Sequence, residues 1–368
     1  MTNLPSTALH LYMLSDALAA LGARYDAAPA YPADSVALLV RSGLHVTFAP
    51  EESGGGRFKD PAAENIALID CLRLVGRADL SLGRIFEGHV NALKLFAWYG
   101  SEEQRRRLKE DLALGRIFGC WATEPAPGVK LEADPFGWRL TGAKRFATGA
   151  GGINFAIVTA QPEEGPRRLA IVPADLPERA DNASWKVRGM RATMSGAYEV
   201  DGLRLNDADL LGGPGDYDRE PRFTAGAWRF CAVHLGGAEA LLAEARDAMS
   251  ASARADPLQR ATFAAAVVAV RTAYLWTREA ALRAAAEHPD AVAFVQMTRG
   301  VVERAALDAM EAAGRIAGTR SAFDGQRIDK ITRDLSLYLR QAGPDHARDQ
   351  AAIAWIDHDV WGAGDELW

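Results

Sequence analysis

Gly115–Arg116–Ile117–Phe118–Gly119–Cys120–Trp121–Ala122–Thr123–Glu124–Pro125 and, after a short interval, Leu140–Thr141–Gly142–Ala143–Lys144–Arg145–Phe146–Ala147–Thr148–Gly149–Ala150 are the stretch that decides the fold. They open a region in which eight of the chain's 17 prolines fall, between Phe118 and Pro214. The same region carries short β-like runs at Trp138–Leu140, Phe155–Thr159, Leu169–Val172 and Ala197–Val200, so the middle of the chain reads as β-rich. On its N-terminal side, Ala63–Leu74 and Leu82–Tyr99 repeat apolar residues every three or four positions, as one-sided helices do, and Gly100 stops the second. On its C-terminal side Phe230, Cys231, His234, Leu235, Ala238, Leu241, Leu242 and Ala245 fall on one helical stripe. Asp256–Pro257 reads as an N-cap followed by proline at the first helical position, opening a helix that ends before His288–Pro289. A third helix is predicted from Asp290 to about Gly314. The order is helical, then β, then helical, with boundaries at residues 1–117, 118–215 and 216–368 and no internal repeat.

Composition agrees with a folded protein. A length of 368 residues suits two or three domains at roughly 150 residues each, and 49% apolar with 24% charged residues supports a sizeable core. The net charge is −6, and no Lys/Arg cluster is interleaved with aromatics, which argues against a nucleic-acid partner. The longest apolar run, Phe263–Val270, is far short of the roughly 20 residues that cross a bilayer, and the N-terminus lacks a basic-then-apolar signal pattern, so no membrane association and a cytoplasmic location are expected. Cys71, Cys120 and Cys231 are widely separated and odd in number, which suggests buried fillers rather than a disulfide framework or a metal site.

The glycine-rich loop Ala49–Gly56 lacks a following Lys–Ser/Thr and a βαβ setting, so it is not a phosphate loop. Tyr99–Gly100–Ser101–Glu102–Glu103–Gln104, followed by the two opening motifs in this order and at these spacings, resembles the acyl-CoA dehydrogenase family of flavoproteins, from about Gly43 to about Pro344. Gly189–Gly196 and Val200–Leu205 are similar to the family's closing β-hairpin region. The resemblance implies a mainly α fold with a central β-domain: an N-terminal helical domain, a middle β-barrel-like domain and a C-terminal four-helix bundle. It also implies FAD between the last two, completed by a neighbouring subunit of a homodimer or homotetramer. Trp121, Thr123, Phe146 and Thr148 match the family's flavin-contacting positions, with Phe146 over one ring face and the Thr148 hydroxyl at N5. Arg333–Asp334 occupies the place of an Arg–Asp pair that shapes the family's flavin site, although such a pair on a helix also reads as a plain structural bridge.

The reaction the resemblance implies is oxidation of an acyl thioester, possibly acyl-CoA, by hydride transfer to flavin N5, with electrons leaving to a separate acceptor. That reaction needs a carboxylate base, and the family's two positions for it fall here at Ala342 and near Phe230. After Glu124–Pro125 the family's Gly–Ser–Asp is replaced by Gly128–Val129–Lys130, which weakens the case for CoA as carrier. Two further readings therefore stand beside the dehydrogenase: a monooxygenase fed with reduced flavin by a reductase, and a noncatalytic subunit. His89 is the candidate titratable residue under both enzyme readings, against the plainer reading of a structural histidine. His346 lies loosely where such monooxygenases carry a second histidine, and His358, between two aspartates, has no metal-binding spacing, so no metal site is expected. The acyl group, the electron acceptor and the oligomer size are not legible from the residues.

Overall fold

The computed structural model describes residues 4–356, with residues 4–12 described by their backbone alone. Six helices come first: α1 Leu4–Ala27, α2 Ala33–Arg41, α3 Leu44–Thr47, α4 Pro61–Ala78, α5 Leu80–Tyr99 and α6 Glu102–Ala113. Their starts are set by side-chain caps. Asp60 accepts from the Ala63 N–H ahead of Pro61, Asp79 accepts from the Leu82 N–H, and Ser101 and Gln104 form a capping box.

Ten strands follow: β1 Phe118–Trp121, β2 Lys130–Asp134, β3 Gly137–Thr141, β4 Ala143–Lys144, β5 Phe155–Pro162, β6 Arg168–Pro173, β7 Ala180–Asp181, β8 Ala197–Glu199, β9 Arg204–Leu205 and β10 Leu210–Leu211. One sheet runs β10-β6-β5-β2-β3-β9, with β1 also parallel to β5 in the register Phe118↔Phe155; a second sheet runs β4-β8-β7. Phe118, Ile157, Leu169 and Leu211 of the larger sheet pack on Ala92, Leu93 and Phe96 of α5, which fixes α5 against the β-domain.

The chain ends in α7 Arg222–Ala225, α8 Trp228–Ala248, α9 Ala251–Ala255, α10 Pro257–Ala285, α11 Ala291–Ala317, α12 Arg327–Tyr338 and α13 Pro344–Trp355. The helix α8 is the hub of this bundle and packs on α4, α10 and α11. Its approach to α4 depends on Gly236, where a Cβ would stand 2.1 Å from the Arg73 carbonyl oxygen. The long helix α1 carries no signal that the periodicity reading found. Among the described residues no helix is long and apolar enough to cross a membrane.

Candidate functional site

The β-domain rim is built by backbone that non-glycine residues seldom adopt. Among the described residues five non-glycines have left-handed φ, and three of them stand here: Phe146 at 53°, Met190 at 54° and Met194 at 44°. Phe146 follows β4, which is held by Lys144, a fully buried ammonium that donates to the Thr159 carbonyl at 2.5 Å and hydroxyl at 2.9 Å and pairs with Glu124. The strained turn leaves the Phe146 ring 61% exposed, edge-on to Trp185 at 6.4 Å. Two residues later Thr148 is 8% exposed.

Hydroxyl directions at this rim follow from one fixed acceptor. The Met190 carbonyl accepts from Thr193 Oγ1 at 2.8 Å, and Thr193 Oγ1 accepts from Ser195 Oγ at 2.8 Å. Ser195 has therefore used its proton, and its 3.0 Å contact with Thr148 makes Thr148 the donor. In this relay Thr148 presents its lone pairs to whatever is placed against it.

Of the other residues assigned to the flavin, Trp121 is a strut rather than a wall. It is 2% exposed, donates its indole N–H to the Thr148 carbonyl at 3.0 Å and packs 5.0 Å from Tyr198. Thr123 is exposed, and its carbonyl accepts from the Arg145 N–H. Arg333–Asp334 bridges α12 to the rim: Arg333 pairs with Asp26 and Asp329 at 2.7 Å and donates to the Arg188 carbonyl, while buried Asp334 accepts the Met190 N–H and pairs with Lys330. That bridge fixes the residue from which the hydroxyl relay starts.

Facing the rim is a helical wall that sequence reading missed. Arg84 of α5 lines a small cavity of about 10 Å³, room for about one water, together with Gly88, Cys120, Trp121 and Thr148. Burial opposes the Arg84 charge, but the adjoining Glu87 carboxylate outweighs it and holds the guanidinium above its ordinary value. Glu87, 2% exposed, also accepts from Asn91, whose amide oxygen accepts from Arg229 at 2.6 Å. On α8, burial and then the charges of Arg299 and Arg84 push the His234 pKa down to about 3. Its ring meets Tyr338 edge-on at 4.3 Å and Phe230 at 5.5 Å, and His234 Nε2 and the Tyr338 hydroxyl are buried with no hydrogen-bond partner.

The two places where thioester oxidation calls for a carboxylate converge on one cation. Arg299 of α11 lies 5.3 Å from the Phe230 ring centroid and donates to the Ala342 carbonyl at 2.7 Å. Ala342, at φ 55°, is a fourth of the left-handed non-glycines. The signals available in the sequence were faint: a histidine inside an apolar stripe on α8, and arginines spread over α5, α8 and α11.

His89 does not join this wall. It is fully buried, accepts the Phe118 N–H at Nδ1 (3.0 Å) and donates from Nε2 to the His45 carbonyl (2.7 Å). Burial pushes its pKa down to about 4, so near neutral pH it is an uncharged tie between α3, α5 and β1, with neither nitrogen open to a substrate. His346 is exposed on α13, and His358 lies outside the described residues. Burial raises the Cys71, Cys120 and Cys231 thiols to about 12, 11 and 12. No cluster of three or more His, Cys, Asp or Glu suited to a metal occurs among the described residues.

No protein-family model matches the chain. The dibenzothiophene monooxygenase of Mycolicibacterium goodii is 26% identical over 340 residues, 81% of this chain and 80% of that protein. That of Rhodococcus erythropolis is 30% identical over 233 residues, 58% of this chain and 55% of that protein, so the match spans about half of the Rhodococcus protein. A probable acyl-CoA dehydrogenase of Bacillus subtilis, YngJ, is 28% identical over 210 residues, 52% of this chain and 54% of that protein. Among solved structures, FMN-bound TdsC from Paenibacillus sp. A11-2 superposes with a TM-score of 0.85 at 20% identity, covering 97% of this chain and 98% of the other. Methanesulfinate monooxygenase MsuC from Pseudomonas fluorescens does so with 0.81 at 21%, covering 97% and 98%.

The fold is thus the acyl-CoA dehydrogenase-like one. The expected acyl-thioester dehydrogenation is overturned: the longest of these sequence matches is to a dibenzothiophene monooxygenase, and TdsC, itself described as a dibenzothiophene monooxygenase, and MsuC are monooxygenases too. TdsC is described with FMN, whereas the resemblance implied FAD.

Proposed function

We propose that this chain is a flavin-dependent monooxygenase. It takes reduced FMN from a separate reductase and, with dioxygen, places one oxygen atom on a small organic molecule while the other leaves as water. The observation that carries the reading is the direction of the hydroxyl relay. Thr148, its proton committed to Ser195, accepts but does not donate. Reduced flavin bears a hydrogen on N5 and oxidised flavin a bare nitrogen, so an acceptor suits the reduced form.

The residues fit the ring. Phe146 offers an exposed ring held out by a strained turn, and Thr148 follows two residues later in the chain. Bound reduced flavin would supply the two electrons that activate oxygen. The chain's own part is to orient the ring, to keep Thr148 an acceptor through Ser195, Thr193 and Met190, and to exclude water with buried Trp121 and half-buried Cys120. Glu87 is tied to Arg84 and Asn91. The relatives named for dibenzothiophene, and MsuC for methanesulfinate, support sulfur-containing molecules as the first substrates to try. A homo-oligomer is part of the proposal, because α10 exposes Val268 and Leu275, each more than 60% open, on its outer face.

The test pairs two reactions. With a flavin reductase, NADH and ¹⁸O₂, a panel of dibenzothiophene and small sulfinates should yield a product carrying one labelled atom. Bleaching of protein-bound oxidised flavin by an acyl-CoA, with no reductant and no oxygen, would overturn the reading.

A further inference from the structure

Buried charge beside the rim does not balance. Arg84 and Arg229 share one carboxylate, Glu87, the first directly and the second through Asn91, and Arg299, whose charge also acts on His234, has Glu303 as the carboxylate that acts on it. The next carboxylates in reach are engaged by other cations: Glu64 by Lys94, and Glu303 by Arg348 at 3.1 Å. Among the described residues neither Arg229 nor Arg299 has a carboxylate within ion-pair distance; Arg229 rests on the Asn91 amide, and Arg299 on the Gln341 and Ala342 carbonyls and the Phe230 ring. Burial pulls both guanidiniums below their ordinary value. The nearby thiols of Cys120 and Cys231 and the Tyr338 phenol are all raised by burial and add no negative charge near neutral pH. Arg229 is buried and Arg299 half-buried, so neither charge is fully met by water, and a bidentate oxyanion is the group a guanidinium fork matches best.

Two more unmet groups point the same way. His234 Nε2, on a side chain more than nine-tenths buried, has no hydrogen-bond partner and feels the charges of both Arg84 and Arg299; the Tyr338 hydroxyl, equally buried and without a well-formed hydrogen bond, lies beside Arg84. Ala342 is exposed, so solvent reaches the Arg299 end of this wall.

We propose that Arg84, His234, Arg299 and Tyr338 receive the anionic group of the substrate, a sulfinate, sulfonate or carboxylate on a small organic body, with Arg299 as its counter-ion and specificity-determining residue. The inference rests on the monooxygenase reading for the word substrate; the anion site itself does not. A neutral aromatic such as a thiophene would leave the positive charge uncompensated, so the wall discriminates against it.

Calorimetric titration of the full-length protein, without and with FMN, separates the outcomes, using benzenesulfonate and its neutral isostere benzenesulfonamide. Wild type should bind the sulfonate at least tenfold more tightly. Arg299→Gln should lose tenfold or more of that affinity, and Arg299→Lys, which keeps the charge but not the fork, should lose less than Arg299→Gln, while both bind FMN as wild type does. Equal binding of the two probes to wild type would overturn the proposal without recourse to any variant, as would unchanged sulfonate affinity in Arg299→Gln. A parallel loss of FMN and sulfonate affinity in Arg299→Gln would assign the charge to the flavin phosphate and also overturn it. No turnover is measured, so failure here is distinct from failure to transfer oxygen.

Discussion

His89 on α5 and His234 on α8 are both buried and both held neutral, yet they belong to different kinds of place. Both ring nitrogens of His89 have their partners: Phe118 N–H, imidazole and His45 carbonyl form a closed series within an apolar core, and the one unmet nitrogen nearby, His45 Nδ1, has no cation beside it among the described residues. Around His234 one ring nitrogen and the neighbouring Tyr338 hydroxyl are unmet, and two guanidiniums press on the ring. Burial alone therefore does not mark function. What sets His234 apart is an unmet ring nitrogen beside two guanidiniums, since a fold keeps such an atom dry at a cost of roughly 1–3 kcal/mol unless a ligand or water meets it.

The sharpest way to break this comparison is to make the same substitution at both positions. His89→Phe keeps a ring but strands the Phe118 N–H and the His45 carbonyl, so chemical denaturation should show a loss of about 2–5 kcal/mol. His234→Phe removes one nitrogen that lacks a partner and strands a single backbone contact, at Tyr338, so it should cost less than His89→Phe, about 1–2 kcal/mol. Equal losses would erase the distinction.

Acid adds a smaller effect. The folded pKa of His89, about 4, lies below its ordinary value of 6.5, so the unfolded chain takes up the proton first. Its contribution is intact above pH 6.5, declines as the pH falls and is lost by about pH 4, amounting to about 3 kcal/mol in all. Denaturation midpoints measured across that window should fall in wild type and fall less in His89→Phe. A flat profile would mean that the imidazole is already protonated or exposed.

The same contrast explains what could be read from the residues alone. Strands at Phe155–Thr159 and Leu169–Val172 and the Asp256–Pro257 helix start were legible because local chemistry dictates them. Phe146 and Thr148 were reached through motif resemblance, and the structure adds what no motif carries, namely the strained φ values and the direction of the relay. The single histidine singled out in the N-terminal helices proved to be a core tie. The wall of Arg84, His234, Arg299 and Tyr338 was hidden because its members sit on four helices up to 254 positions apart, with no spacing to betray them. An arginine on an Ala-rich helix looks like a solvated face until packing shows it buried beside a phenylalanine ring.

The central claim is that the rim presents an acceptor to reduced flavin, and anaerobic titration of the full-length protein with reduced and oxidised FMN tests it most directly. One hydrogen bond gained in the reduced state, at about 0.5–1.5 kcal/mol, predicts roughly two- to tenfold tighter binding of the reduced form. Ser195→Ala, which frees the Thr148 proton, should erase or reverse that preference. Tighter binding of oxidised FMN by wild type, or a preference untouched by Ser195→Ala, would contradict the account.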